Sequence, residues 1–190
     1  NAPASTLKSG GITNTVLGHT LSLTGTGVMS TKDVGVGKTV SVGNLGLGGA
    51  QSANYKLAGG TIGIDVTPRT TNASGSRHYD GTTVAGSSAF TSFSNTVGSD
   101  TVSLSGSGTI ASAGVGSKGV TIGTLQSAHP NYILGNASLT VSKKPVNLFG
   151  RRVGGGSIGL NVQPSELSFT NLPSGETLNL SGIGTIPNLA

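Results

Sequence analysis

An eight-residue block returns three times along the chain, and that repetition constrains the fold more than any other feature. Thr20-Leu21-Ser22-Leu23-Thr24-Gly25-Thr26-Gly27 reappears as Thr101-Val102-Ser103-Leu104-Ser105-Gly106-Ser107-Gly108, 81 residues further on. A second return, as Thr177-Leu178-Asn179-Leu180-Ser181-Gly182-Ile183-Gly184, follows after another 76. Other landmarks keep the same order between the blocks: Val40-Ser41-Val42 with Val120-Thr121-Ile122, Leu45 with Leu125, Asn54-Tyr55-Lys56-Leu57 with Asn131-Tyr132-Ile133-Leu134, and Thr67-Pro68-Arg69 with Lys144-Pro145-Val146. One solenoid coil takes roughly 20 residues. The repeat is far longer, which favours tandem small β-modules and leaves a continuous β-solenoid as the alternative.

Within each repeat, apolar residues alternate with Ser, Thr or Gly, as in Thr39-Val40-Ser41-Val42 and Thr61-Ile62-Gly63-Ile64-Asp65-Val66. A period of two marks a strand with one buried face. Helical spacing is not sustained anywhere, and glycines bound the runs where tight turns need positive φ. The expected fold is all-β: five to seven short strands per module, in sandwich or β-grasp-like sheets, with the modules in series as an elongated rod. Residues 1–69 form a partial first module, 70–146 a complete one, and 147–190 a partial third that stops before its Asn-Tyr strand. Pro68 and Pro145 close the first two, since proline fixes φ and removes an amide donor.

Composition supports thin aliphatic layers. Aromatic residues are 4% of the 190, and charged residues only 9%, so neither a large aromatic core nor a charge-driven disordered tail fits. No cysteine is present, which excludes disulfides and thiolate metal sites and suits export. The net charge of +5 is dilute. Its basic pairs, Lys143-Lys144 and Arg151-Arg152, lack interleaved aromatics and read as solvated linker, with polyanion contact as the rival; nucleic acid is not an expected partner. No apolar run reaches the roughly 20 residues of a spanning helix. Asn1-Ala2-Pro3-Ala4-Ser5 does not resemble a signal peptide, so a mature product or an excised fragment is expected.

Reactive chemistry finds little footing, and neither a cofactor nor an enzymatic activity is expected. Gly35-Val36-Gly37-Lys38-Thr39 imitates the end of a phosphate-binding loop, but Lys32 stands where its first glycine belongs, so a β-turn is the expectation. His19, His78 and His129 lack converging ligands. Asp33, Asp65, Asp80, Asp100, Glu166 and Glu176 are scattered singly, without the pairing of a glycosidase or the spacing of a calcium loop. Three Asn-x-Ser triplets, at Asn72, Asn136 and Asn179, arise readily by chance in so Ser-rich a chain.

The second repeat opens with Arg77-His78-Tyr79-Asp80-Gly81-Thr82-Thr83-Val84 and closes with Asn131-Tyr132-Ile133-Leu134. This resembles the YDG repeat, a relative of the mostly-β, glycine-rich repeats found in tandem in large bacterial surface exoproteins. Adhesins of the filamentous-haemagglutinin, two-partner-secretion type are among them. The resemblance covers nearly the whole chain and implies an extracellular stalk or biofilm-matrix role without catalytic residues. The third repeat departs from it, with Arg151-Arg152-Val153-Gly154-Gly155-Gly156 at the opening, and the first repeat shows no counterpart of that opening. Physically, Tyr79-Asp80-Gly81 reads as a structural corner: Asp80 accepts amides in an Asx-turn, Gly81 takes a special φ, and the Tyr79 hydroxyl needs a partner. Asn54, Tyr55, Asn131 and Tyr132 are the matching structural positions of the closing motif. The expected function is that of cohesive stalk repeats of a secreted or surface-displayed adhesin, whose partners are neighbouring repeats or other copies joined by strand pairing. A carbohydrate-binding module, contacting extracellular polysaccharide or a host surface through Tyr55, Tyr79, Tyr132 or the basic pairs, is the rival.

Overall fold

The computed structural model describes residues 1–7, 12, 15–58, 62–151 and 161–185. Among them the fold is all-β, with four single-turn 3-10 segments and no α-helix. Among the described residues no helix is long and apolar enough to cross a membrane. Two compact units emerge. The first comprises Asn1–Thr71, Ser94–Ser103 and Ser127–Gly135, and the second Asn72–Phe93, Leu104–Gln126 and Asn136–Ala190.

The first repeat contributes β1 (Ala2–Pro3), β2 (Ser22–Thr24), β3 (Thr26–Met29), β4 (Gly35–Ser41), β5 (Gly46–Gly48) and β6 (Ile62–Val66). Four of these form a sheet in the order β1-β3-β4-β6, while β2 and β5 form a separate ribbon. The second repeat contributes β7 (Arg69–His78), β8 (Val84–Gly86), β9 (Phe90–Ser94), β10 (Leu104–Ser105), β11 (Ser107–Ile110), β12 (Gly116–Thr121), β13 (Gln126–Ser127) and β14 (Tyr132–Ser142). Its sheet runs β8-β11-β12-β14-β7-β9, again with a side ribbon, β10-β13. In the third repeat β15 (Leu148–Gly150) pairs with β17 (Leu167–Phe169), and β16 (Asn161–Val162) with β18 (Gly184–Thr185).

The four-strand order β1-β3-β4-β6 therefore recurs as β8-β11-β12-β14, and one antiparallel register recurs three times. Ala2 faces Gly27, Ala85 faces Gly108, and Val162 faces Gly184. A 3-10 turn follows each first partner, at Ala4–Thr6, Ser87–Ala89 and Pro164–Glu166. The Gly-x-Gly of the repeated block has a steric cause. Gly25 and Gly106 take φ of +80° and +82°, where a Cβ would lie 2.1 Å from the Asn44 or Thr124 carbonyl oxygen. At Gly27 and Gly108 a Cβ would lie 2.2 Å and 2.7 Å from Cγ1 of Val40 and Val120, which fill the layer beneath.

The second repeat has eight strands where five to seven were expected. The additions are β7 and β9, and β7 escapes an apolar count because Thr71 and Ala73, not Val or Leu, fill its inward positions. Thr71 is fully buried, and its hydroxyl donates to the Ser94 carbonyl at 2.7 Å. Between β12 and β7, strand β14 alternates cleanly: Ala137, Leu139 and Val141 are buried and the residues between them are not. Leu139 is wholly buried, and such burial stabilises by about 1.5–3 kcal/mol. Strand β6 carries the stronger apolar alternation in sequence yet is half-buried at every position. It lies at a sheet edge, with β4 as its one ladder neighbour. Gly35-Val36-Gly37-Lys38-Thr39 lies within β4 and is not a β-turn; the ladder with β6 shifts register between Gly35 and Lys38. Lys38 Nζ donates to Thr31 and to the Asp33 carbonyl, so this lysine stitches its own hairpin.

Candidate functional site

The two Asn-Tyr motifs place buried or half-buried tyrosines whose hydroxyls fasten an upstream loop. In the first repeat the Val16 amide donates to the Tyr55 hydroxyl at 2.9 Å, and His19 Nδ1 lies 2.7 Å from the same oxygen. In the second the Val97 amide donates to Tyr132 at 2.8 Å, and the Tyr132 hydroxyl donates to Asp100 Oδ2 at 3.0 Å. His19 and Asp100 each stand one residue before the repeated block. Glu176 holds that position in the third repeat. The same backbone turn presents all three, since His19, Asp100 and Glu176 donate their amides to Val16, Val97 and Pro173 carbonyls.

Around Asp100 the first unit gathers a polar cluster. Lys32 Nζ pairs with Asp100 Oδ1 at 2.9 Å, the lysine largely exposed and the carboxylate mostly covered. Asn131 donates its amide to Asp33 Oδ1 and accepts the Val34 amide, both at 2.9 Å, while its carbonyl takes the Arg69 amide. The Lys32 hydrogen bond first, and that of Tyr132 second, hold the Asp100 carboxyl below the usual carboxylate range. The Asn131 hydrogen bond does the same for Asp33, and Asp100 in turn raises Lys32. A cavity of about 220 Å3 lies beside the cluster, with Val34, Val66 and Val97 on its walls. Its polar groups bond one another, so the arrangement is a clasp that holds the hairpin of the first repeat to the loops at 94–103 and 127–135. Asn54 plays no such part; it donates to Gln51 nearby.

In the second unit Tyr79-Asp80-Gly81 forms a corner at the end of β7. Asp80 Oδ1 accepts the Thr82 amide at 2.9 Å and its hydroxyl at 3.0 Å, closing the Asx-turn, and Gly81 has φ of +78°. Arg77 braces the corner through Asp80 and Thr82. Burial acts to raise the Asp80 carboxyl, but the Thr82 and Arg77 contacts outweigh it and the net shift is downward. The Tyr79 amide donates to the Ser142 carbonyl at 2.8 Å, and its hydroxyl donates to Glu176, which raises the phenol. Pro173 and Glu176 also approach Gly81, so the motif abuts the third repeat's turn. The family model of the YDG domain matches residues 1–62 and 65–141. This chain belongs to the YDG domain family. No curated protein and no solved structure matches it.

In the first YDG match Ala2–Thr6 takes the place that Ala85–Ala89 takes in the second. Lys143 and Arg151 are exposed and Lys144 is half-buried; Arg152 lies outside the described residues. His78 Nδ1 contacts the Lys143 carbonyl and the Ser142 hydroxyl. Among the described residues no three His, Asp or Glu side chains converge as metal ligands. The residues that sequence reading passed over are the lone acids Asp33, Asp100 and Glu176. Extending the repeat comparison one residue upstream, to His19, Asp100 and Glu176, would have marked the position.

Proposed function

We propose that this chain is a structural, cohesive stretch of YDG repeats from a secreted or surface-exposed bacterial adhesin, working outside the cell by carrying load and presenting surface. The observation that carries the reading is that polar side chains join neighbouring repeats, Lys32 with Asp100 and Tyr79 with Glu176. Units that mainly contact their sequence neighbours add length by addition, as linear arrays do. Membership in the YDG family and the shared register support the same role.

The test is display on an otherwise non-adherent cell through a generic anchor, against a flexible linker of equal length. The chain is expected to raise cell-to-cell aggregation or surface attachment, and to unfold serially under force. Each complete repeat of 77 residues would release about 270 Å of contour. Aggregation and attachment no greater than with the linker would overturn the proposal, as would a binding or hydrolytic activity toward glycans that survives loss of the repeat contacts.

A further inference from the structure

We infer that the cavity beside the Lys32–Asp100 clasp is a binding site for one carboxylate-bearing sugar ring, the uronate unit of an acidic polysaccharide. The clasp leaves hydrogen-bond donors over. Lys32 Nζ gives one of its N–H groups to Asp100, and its side chain is 70% exposed. Arg69 gives Nε and Nη2 to Asn95, which leaves Nη1 unspent among the described residues. Thr67 stands on the same wall, its hydroxyl without a partner among the described residues. The guanidinium is held from an unusual place. Asn95 has φ of +64°, the one such value among the described non-glycine residues, and its backbone and side-chain oxygens both accept from Arg69. Backbone in that region is costly for most side chains and gathers at binding sites.

These groups specify the ligand's chemistry. Cations with donors to spare, Lys32 and Arg69, suit a carboxylate. Asp100 has one oxygen on Lys32 and the other on Tyr132; it repels a bare anion but keeps lone pairs for a hydroxyl donor. Val34, Val66 and Val97 give an apolar side for the C–H face of a ring, and Val97 is 47% exposed. The volume of about 220 Å3 matches that of about seven waters, which admits one ring and not two. A hexuronate joins all of these features in one unit: an anion, hydroxyls and an apolar ring face. The inference goes beyond the cohesive role and is compatible with it, because Lys32 serves both.

The experiment titrates the full chain with tri-galacturonate, with its fully methyl-esterified form and with propionate, and reads backbone amide chemical shifts. Saturable binding of tri-galacturonate is expected, with a dissociation constant on the order of a millimolar. The shifts should centre on residues 32–34, 66–69, 97–100 and 131–132. The ester lacks the anion and propionate lacks the ring, so each should bind on the order of tenfold more weakly. Lys32→Met and Arg69→Met should each weaken tri-galacturonate about fivefold, the modest worth of an exposed charge. Both side chains are exposed, so both variants should keep their circular dichroism. Lys56, an exposed lysine outside the cavity, is the control, and Lys56→Met should bind as the unaltered chain does. Absence of saturable binding, equal binding of the ester or of propionate, or equal loss in Lys56→Met and Lys32→Met would overturn the inference.

Discussion

Alanine at Gly108 tests the packing reasoning most sharply, because the same repeat position exists in two other environments. In Gly108→Ala the new Cβ would lie 2.6 Å from the Thr121 carbonyl oxygen, 2.7 Å from Val120 Cγ1 and 2.9 Å from Leu125 Cδ1. Two of these belong to β12, which is laddered to β11 on one side and β14 on the other, so the neighbours cannot simply retreat. Overpacking of this kind costs about 1–3 kcal/mol, or on the order of 5–20 °C in melting temperature for a unit of this size. At Gly184 the same substitution meets Val162 Cβ at 3.7 Å, an ordinary contact, and should be nearly silent. Gly119→Ala, in β12 with open space around it, should stabilise by about 0.4–1 kcal/mol through the unfolded chain. Urea and thermal unfolding of the three variants by far-UV circular dichroism would measure this. Equal cost at Gly108 and Gly184, or no cost at Gly108, would refute the reasoning.

Further outcomes follow from the same contacts. Leu139→Ala should lower stability by about 2–5 kcal/mol in urea unfolding, since the side chain is fully buried between paired strands. Tyr132→Phe should cost about 1–3 kcal/mol by stranding the Val97 amide, whose proton should then exchange faster with solvent. Because the Asp100 and Asp33 carboxyls titrate below their ordinary values in the folded chain, they add stability above the ordinary carboxylate pKa. That stability is lost as pH falls through the lowered folded values. Asp100→Asn and Asp33→Asn together should flatten the acid limb of the pH–stability curve, and an unchanged limb would count against the clasp.

The strands and the repeat were legible in sequence because alternation of aliphatic and small polar residues has one physical meaning, a pleated face turned inward. Strand β7 was not, since Thr71 and Ala73 can fill an inward row only where β14 and β9 lie on either side, and no local pattern encodes those neighbours. The Tyr-Asp-Gly corner was foreseen in its Asx-turn and its glycine, which are local, but not in its partner. Tyr79 and Glu176 are 97 residues apart, and a single acid at that distance carries no signal until folding brings it close. Asn54 and Asn131 show the converse: identical motif letters, one bonding its neighbour Gln51 and the other holding Asp33 and Val34.

One register repeated three times underlies the repeat architecture of this chain. Cross-strand nuclear Overhauser effects measured on the intact chain should link Ala2 with Gly27, Ala85 with Gly108, and Val162 with Gly184. If any of the three pairs is shifted by a residue, so that its side chains face opposite ways, the common unit is wrong.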